Sequence, residues 1–263
     1  MLPTLWVMLG GLGVGLVLGL TGAGGGILAV PALVFIKGWG VAEAAPIGLL
    51  AVTGAAVVGT VEGFYRKLVR YRAAFLMAFA GVPMTPLGLA AAQRLSAAWL
   101  AGLFGLTMLV VAARLLLTAS NRDGHSAPCH IDPGTGRLHW TRKTVLIMTL
   151  LGSVTGFLTG LLGVGGGFIL VPALRKFTDI SMHGIVATSL MVIALVGSGS
   201  ILVALWQGHH FPLSVALSFV VATAIGMVLG RLLIHRFHPR TVQRLFAALV
   251  SGVAVLMFYR ALA

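Results

Sequence analysis

The sequence predicts an all-α polytopic membrane protein made of two homologous four-segment halves. Three observations carry that expectation. Of the 263 residues, 59% are hydrophobic and 9% charged, with a mean hydropathy of +1.05. A soluble domain carries about 25% charged residues, and a water-exposed surface of this composition would be one large apolar patch. The apolar residues fall into eight segments separated by short basic runs, and two of those segments repeat each other.

The segments are Leu5–Ile36, Ala44–Val61, Ala73–Ala92, Ala97–Leu117, Thr144–Leu174, Ile185–Trp206, Phe211–Ile234 and Val242–Tyr259. Six have the length of one helical span, about 18–24 residues. The five tryptophans, Trp6, Trp39, Trp99, Trp140 and Trp206, fall at segment ends, where an interfacial aromatic belt places them. The segments lack period-2 alternation and exceed the roughly 10-residue strands of a barrel. The spans are therefore helices.

Leu5–Ile36 and Thr144–Leu174 do not fit a single span. As continuous helices of 32 and 31 residues they would be about 46–48 Å long, against a hydrocarbon core of about 30 Å. Each contains a glycine cluster followed by a proline, Pro31 or Pro172, and both residue types break helices. A helix that enters, breaks and turns back is expected in each. Residues 15–33 match 156–174 at 11 of 19 positions without a gap. Farther on, Tyr65 falls against Trp206, and Gly88, Arg94 and Leu103-Phe104 fall against Gly230, Arg236 and Leu245-Phe246 after one inserted residue. The expected organisation is a first transmembrane repeat (1–117), a polar cytoplasmic linker (118–143) and a second repeat (144–263). Internal duplication of this kind is typical of transporters.

The 18 Lys and Arg outweigh 5 Asp and Glu, a formal charge of +13. The basic residues lie in loops between apolar stretches, which points to positive-inside loops and anionic lipid headgroups as partners, not nucleic acid. If both broken segments enter and leave on one face, Arg66, Lys67, Arg70, Arg72, Arg114, Arg122, Arg137, Arg142, Lys143, Arg175, Lys176, Arg231, Arg236, Arg240 and Arg244 share one side. Only Lys37, Arg94 and Arg260 remain on the other. That division obeys the positive-inside rule and makes the halves an inverted repeat. Met1–Ile36 has no Lys or Arg, so it lacks the basic region of a signal peptide and is expected to persist in the mature protein. One cysteine, Cys129, excludes an internal disulfide.

Gly22-Ala23-Gly24-Gly25-Gly26 with Pro31, Gly163-Val164-Gly165-Gly166-Gly167 with Pro172, and the following Ala187-Thr188-Ser189-Leu190 resemble the sulfite exporter TauE/SafE family over nearly the whole chain. The resemblance implies export of sulfite, sulfoacetate or other small sulfur-containing anions, by about eight transmembrane helices. The sequence departs from it where Thr188-Ser189 would have a first-half counterpart, which here is Ile47-Gly48.

The glycine clusters suit anion binding on physical grounds. A break inside the bilayer exposes backbone N–H groups and the positive dipole end of the next half-helix, and glycine lets an anion approach the backbone. The candidate substrate-binding residues are therefore Gly22, Gly24, Gly25, Gly26, Gly163, Gly165, Gly166 and Gly167, with Thr21, Thr188 and Ser189 as hydroxyl donors. On this reading Gly25→Val and Gly166→Val abolish flux in a protein that still folds. Gly15, Gly19, Gly156 and Gly160 are assigned instead to helix packing. Thr21, Thr159, Thr188 and Ser189 either donate to an anion or bond their own helix carbonyls at i−4. Glu62 and His183 could carry protons, but the reading preferred for both is interfacial. His125, Cys129, His130, Asp132 and His139 match no closed zinc pattern and are read as solvated linker. No metal site, cofactor or catalytic constellation is expected, so an enzyme is not.

The expected function is transport, as an exporter, of a small anionic substrate across a bacterial-type inner (cytoplasmic) membrane, with access alternating about the broken helices. A transporter of a cation or metal is opposed by the scarcity of intramembrane carboxylates. A non-transporting assembly partner would tolerate bulk at Gly25 and Gly166. A homo-oligomer is left open.

Overall fold

In hydrocarbon each backbone N–H and C=O must be satisfied within the chain, and an apolar helix does this locally. The computed structural model describes residues 2–118, 129, 140–206, 213–233 and 239–262, and these fold into α1 Leu2–Thr21, α2 Ala29–Lys37, α3 Val41–Tyr65, α4 Tyr71–Gly81, α5 Thr85–Arg94, α6 Ala97–Thr118, α7 Arg142–Leu162, α8 Gly167–Phe177, α9 Met182–Trp206, α10 Leu213–Leu233 and α11 Pro239–Leu262. A short 3₁₀ turn, Val82–Met84, joins α4 to α5, so that Tyr71–Arg94 makes one span. Among the described residues, seven helical stretches are long and apolar enough to cross a membrane, beside two shorter ones within 5–37.

Both long segments break where the glycines cluster. α1 passes at Gly22, φ +76°, into a 3₁₀ stretch, Gly22–Leu28, that leads into α2. α7 ends at Gly163, φ +69°, whose N–H donates to Thr159 O at 2.9 Å. Gly165 and Gly166 also take positive φ before α8 begins. These are left-handed values that glycine adopts without a Cβ clash. The prolines lie beyond the breaks, Pro31 in the first turn of α2 and Pro172 inside α8. α1 and α7, with 20 and 21 residues, are each about 30 Å long, and only the returning pieces are short. α2 returns along α1: Gly25 packs against Leu18 and Gly10 against Ile36.

The helices pair across the two halves: α1 with α10, α7 with α4 and α5, α3 with α9, and α6 with α11. Glycine sets the first two pairings. A Cβ on Gly15 would lie 2.0 Å from Thr223 O, and one on Gly156 2.0 Å from Gly81 O. Gly19 and Gly160 meet Met227 O and Thr85 O in the same way, at 2.3 and 2.1 Å. All four therefore sit at close helix contacts, as small residues at four-residue spacing do. The central helices α3 and α9 run antiparallel, since Thr53 faces Gly197, Gly59 faces Leu190 and Gly63 faces Ala187.

Charge marks the two ends. At one end Glu62 at the foot of α3 meets Arg231 of α10, the Arg70 N–H ahead of α4 donates to Thr188 Oγ1 of α9, and Gln243 of α11 donates to Leu115 O of α6. At the other, Arg260 of α11 donates to Val34 O and Gly38 O beside Lys37. Of the linker's five candidate ligands, His125, His130, Asp132 and His139 lie outside the described residues. Cys129 is fully buried, with its N–H donating to Phe177 O at 3.1 Å. The solvated reading fails for Cys129, because its backbone pairs with Phe177 and Asp179 at the end of α8.

Candidate functional site

The two glycine breaks meet at the crossing of α3 and α9. A Cβ on Gly26 would fall 2.9 Å from Val52 Cγ1 and 3.4 Å from Val164 O. One on Gly165 would fall 2.8 Å from Ile193 Cγ2 and 3.4 Å from Val52 Cγ1. Val52 and Ile193 occupy equivalent positions of the two repeats, 141 residues apart like Gly24 and Gly165. Both are completely buried, as are Ile27 and Leu162 beside them. The breaks thus form a closed, tightly packed centre.

A pocket approaches that centre from each end. The first, about 240 Å³, is bounded by Thr21 and Gly24 at the first break, Phe168, Pro172 and Arg175 of α8, Arg114 of α6, and Gln243 and Phe246 of α11. The second, about 230 Å³, is bounded by Thr159 and Gly163 at the second break, Pro46 and Leu49 of α3, Thr85 and Gln93 of α5, and Ser200 of α9. The first touches α6 at Val111–Leu115 and α9 at Met182; the second touches α6 at Leu100 and α9 at Ser200–Ala204. Both helices have the length of a span, so the pockets open at opposite ends. Electrostatically they differ. Arg114 and Arg175 line the first, and neither has a carboxylate partner among the described residues. The second has no charged lining residue.

The expected site residues separate into three groups. Thr21, Gly24 and Pro172 line the first pocket, and Gly163 lines the second. Gly22, Gly25, Gly26, Gly165, Gly166 and Gly167 are buried in packing. The expectation that Gly25 and Gly166 would accept a side chain in a folded protein is corrected here. A Cβ on Gly25 would lie 2.4 Å from Leu18 N and Cα, and one on Gly166, φ +59°, 2.5 Å from Thr155 Cγ2. Gly24 alone of the first cluster has room, its nearest neighbour being the Phe246 ring at 3.5 Å. The hydroxyls divide too. Thr21 and Thr159 donate to the i−4 carbonyls of Val17 and Thr155, both at 2.7 Å. Thr188 accepts the Arg70 N–H at 3.0 Å and so fixes the entry to α4. Ser189 Oγ is buried without a hydrogen-bond partner among the described residues, as are Thr53 Oγ1 on α3 and Thr155 Oγ1 beside Gly166.

Sequence reasoning missed the two pocket arginines, which were counted only as loop charge, and Thr53 and Thr155. It also read Glu62 as merely interfacial. Glu62 is held by Arg66, 3.1 Å away just past the end of its helix, and by Arg231 of the opposite repeat. A signal existed for the last: Arg231 is the only charged residue inside the apolar run Phe211–Ile234, and such a residue needs a partner.

Comparison with known proteins agrees with this architecture. Residues 7–257 match the model of the family described as sulfite exporter TauE/SafE. The chain is 32% identical over 257 residues to a probable membrane transporter protein of Xylella fastidiosa (strain 9a5c), covering 95% of this chain and 93% of the relative. It is 26% identical over 262 residues to the probable membrane transporter protein YunE of Bacillus subtilis (strain 168), covering 95% of each. No solved structure matches.

Proposed function

Because the chain belongs to the sulfite exporter TauE/SafE family, a family of membrane transporters, we propose that it exports small organic or sulfur-containing anions, such as sulfite or sulfonates, across the inner membrane. The observation that carries this reading is the pair of pockets that reach the two glycine breaks from opposite ends, with arginines in one and a packed centre between them. That is the arrangement alternating access requires: a closed midpoint and a vestibule on either side.

The halves are an inverted repeat in this account. α3 and α9 are equivalent helices and run antiparallel, so a two-fold axis relating them lies across the helices, in the membrane plane. The arginine-rich end faces the cytoplasm by the positive-inside rule, which sets Arg114 and Arg175 where cytoplasmic anions enter. The positive lining favours an anion over a cation. Gly24 gives an anion access to the backbone at the first break, and the remaining cluster glycines let the two breaks pack and slide. A monoanion leaving a cell that is negative inside gains about 2.3 kcal/mol per 100 mV, so export requires no coupled ion.

Counterflow of labelled sulfite and methanesulfonate in proteoliposomes of the purified chain tests the proposal. Saturable counterflow is expected, together with net anion efflux that an inside-negative potential accelerates. Flux no greater than in protein-free liposomes, for every anion tried, would refute it.

A further inference from the structure

We propose that the groove between α3 and α10 at the arginine-rich end is a binding site for an anionic phospholipid, whose phosphate docks on Arg66 and Arg231. The groove, about 390 Å³, includes Val58 and Glu62 of α3, Arg66 just past that helix, and Val228, Arg231 and Leu232 of α10. It shares no lining residue with either vestibule, so its occupant is independent of the transported anion. Glu62 receives both guanidinium groups, Arg66 Nε at 3.1 Å and Arg231 Nη1. One carboxylate balances only one of them, and the cluster keeps a net positive charge. Arg231 Nη2, beside Gly59, and the two Nη of Arg66 have no acceptor among the described residues.

Depth and polarity match a lipid. α3 has 25 residues, about 37 Å against a hydrocarbon core of about 30 Å, so its last turn, with Glu62, reaches headgroup level. An uncompensated charge at that boundary is unfavourable, and a phosphodiester both neutralises it and fits a guanidinium fork. Val58, Glu62 and Arg66 follow at four-residue spacing, from the apolar middle of the span to its charged end. Val228 and Arg231 run the same way on α10, and Val58, Val228 and Leu232 are exposed, as a wall for an acyl chain is. The fold does not need this charge cluster. The counterparts of Glu62 and Arg231 in the other repeat are Val203 and Leu89, which line the second pocket where α9 meets α5. Basic pockets between spanning helices on the cytoplasmic side are where anionic headgroups bind.

Native mass spectrometry of the purified full chain, delipidated and titrated in detergent with palmitoyl-oleoyl-phosphatidylglycerol or with the matching phosphatidylcholine, tests this. One phosphatidylglycerol should bind about ten-fold or more tighter than the choline lipid, whose headgroup carries its own counter-charge. Arg66→Gln should weaken phosphatidylglycerol by about ten-fold or more while the melting temperature of the lipid-free protein holds. Arg66→Lys, which keeps the charge and loses the fork, should fall between the two. Arg94→Gln, at the opposite end, and Arg175→Gln, in the first vestibule, should bind phosphatidylglycerol as the parent does. Equal affinity for the two lipids, or phosphatidylglycerol binding unchanged by Arg66→Gln, would overturn the proposal. So would a loss confined to Arg175→Gln, which moves the lipid to the first vestibule. Displacement of phosphatidylglycerol by inorganic phosphate at equal concentration would make the groove a site for a soluble anion instead of a lipid. Counterflow plays no part in these readings, so the lipid site and the transport function stand or fail separately.

Discussion

Gly156→Ala is the sharpest probe of how the two repeats are joined. Its Cβ would sit 2.0 Å from Gly81 O and 2.5 Å from Gly81 C, backbone atoms that no rotamer change can move aside. Restoring an ordinary carbon–oxygen contact of at least ~3 Å means shifting α7 from α4 by about 1 Å, and interiors packed to crystal density resist this. Overpacking of this kind costs about 1–3 kcal/mol. For a chain of this length that corresponds to roughly 2–4 °C in melting temperature per kcal/mol, so a loss of about 2–12 °C is expected in detergent. Gly15→Ala, against Thr223 O in the equivalent contact, should lose a similar amount. Gly102→Ala is the control: nothing lies within 4 Å of a Cβ there, and replacing a helical glycine by alanine is neutral or stabilising by up to ~1 kcal/mol. Thermal unfolding of the three variants, followed by static light scattering or intrinsic fluorescence, separates them. Equal melting temperatures for Gly156→Ala and the parent, or a loss confined to Gly102→Ala, would refute the packing geometry.

Three further outcomes follow from the site. Gly25→Ala should lower stability by about 1–3 kcal/mol because it collides with the Leu18 backbone, whereas Gly24→Ala should melt with the parent; the reverse order would mean that the first break is folded differently. Glu62→Gln leaves the largely buried Arg231 guanidinium without its counter-charge and should cost about 1–3 kcal/mol, while Arg66→Gln, removing only a largely exposed i,i+4 partner, should cost no more than ~0.5 kcal/mol; paired chemical denaturation curves check both. Arg175→Gln should raise the half-saturating concentration for anion counterflow at least about ten-fold, with Arg94→Gln, at the opposite end of the chain's charge pattern, close to the parent.

What the sequence discloses here is local and repetitive. The duplicated glycine clusters and the excess length of their segments announce two breaks, because glycine reaches the left-handed values found at Gly163, Gly165 and Gly166 without a Cβ clash. Gly15, Gly19, Gly156 and Gly160 are legible as packing residues from their four-residue spacing. The division of function among the cluster glycines is not legible. Gly24 is open and Gly25 closed because of which neighbour each faces, Phe246 of α11 for one and the preceding turn of α1 for the other. The same holds for charge. Arg114 and Arg175 lie in separate repeats and become a site only when α6 and α8 border one pocket. Cys129 reads as a polar-linker residue but is buried against the end of α8, a tertiary pairing with no local signature.

The central claim is that two vestibules reach the paired breaks from opposite faces of the membrane. Two single-cysteine variants test it directly, Gln243→Cys at the first pocket and Gln93→Cys at the second, each with Cys129→Ser as background. With a membrane-impermeant maleimide, Gln93→Cys should label in intact spheroplasts and Gln243→Cys only in inside-out vesicles. Labelling of both positions from the same face would contradict the account.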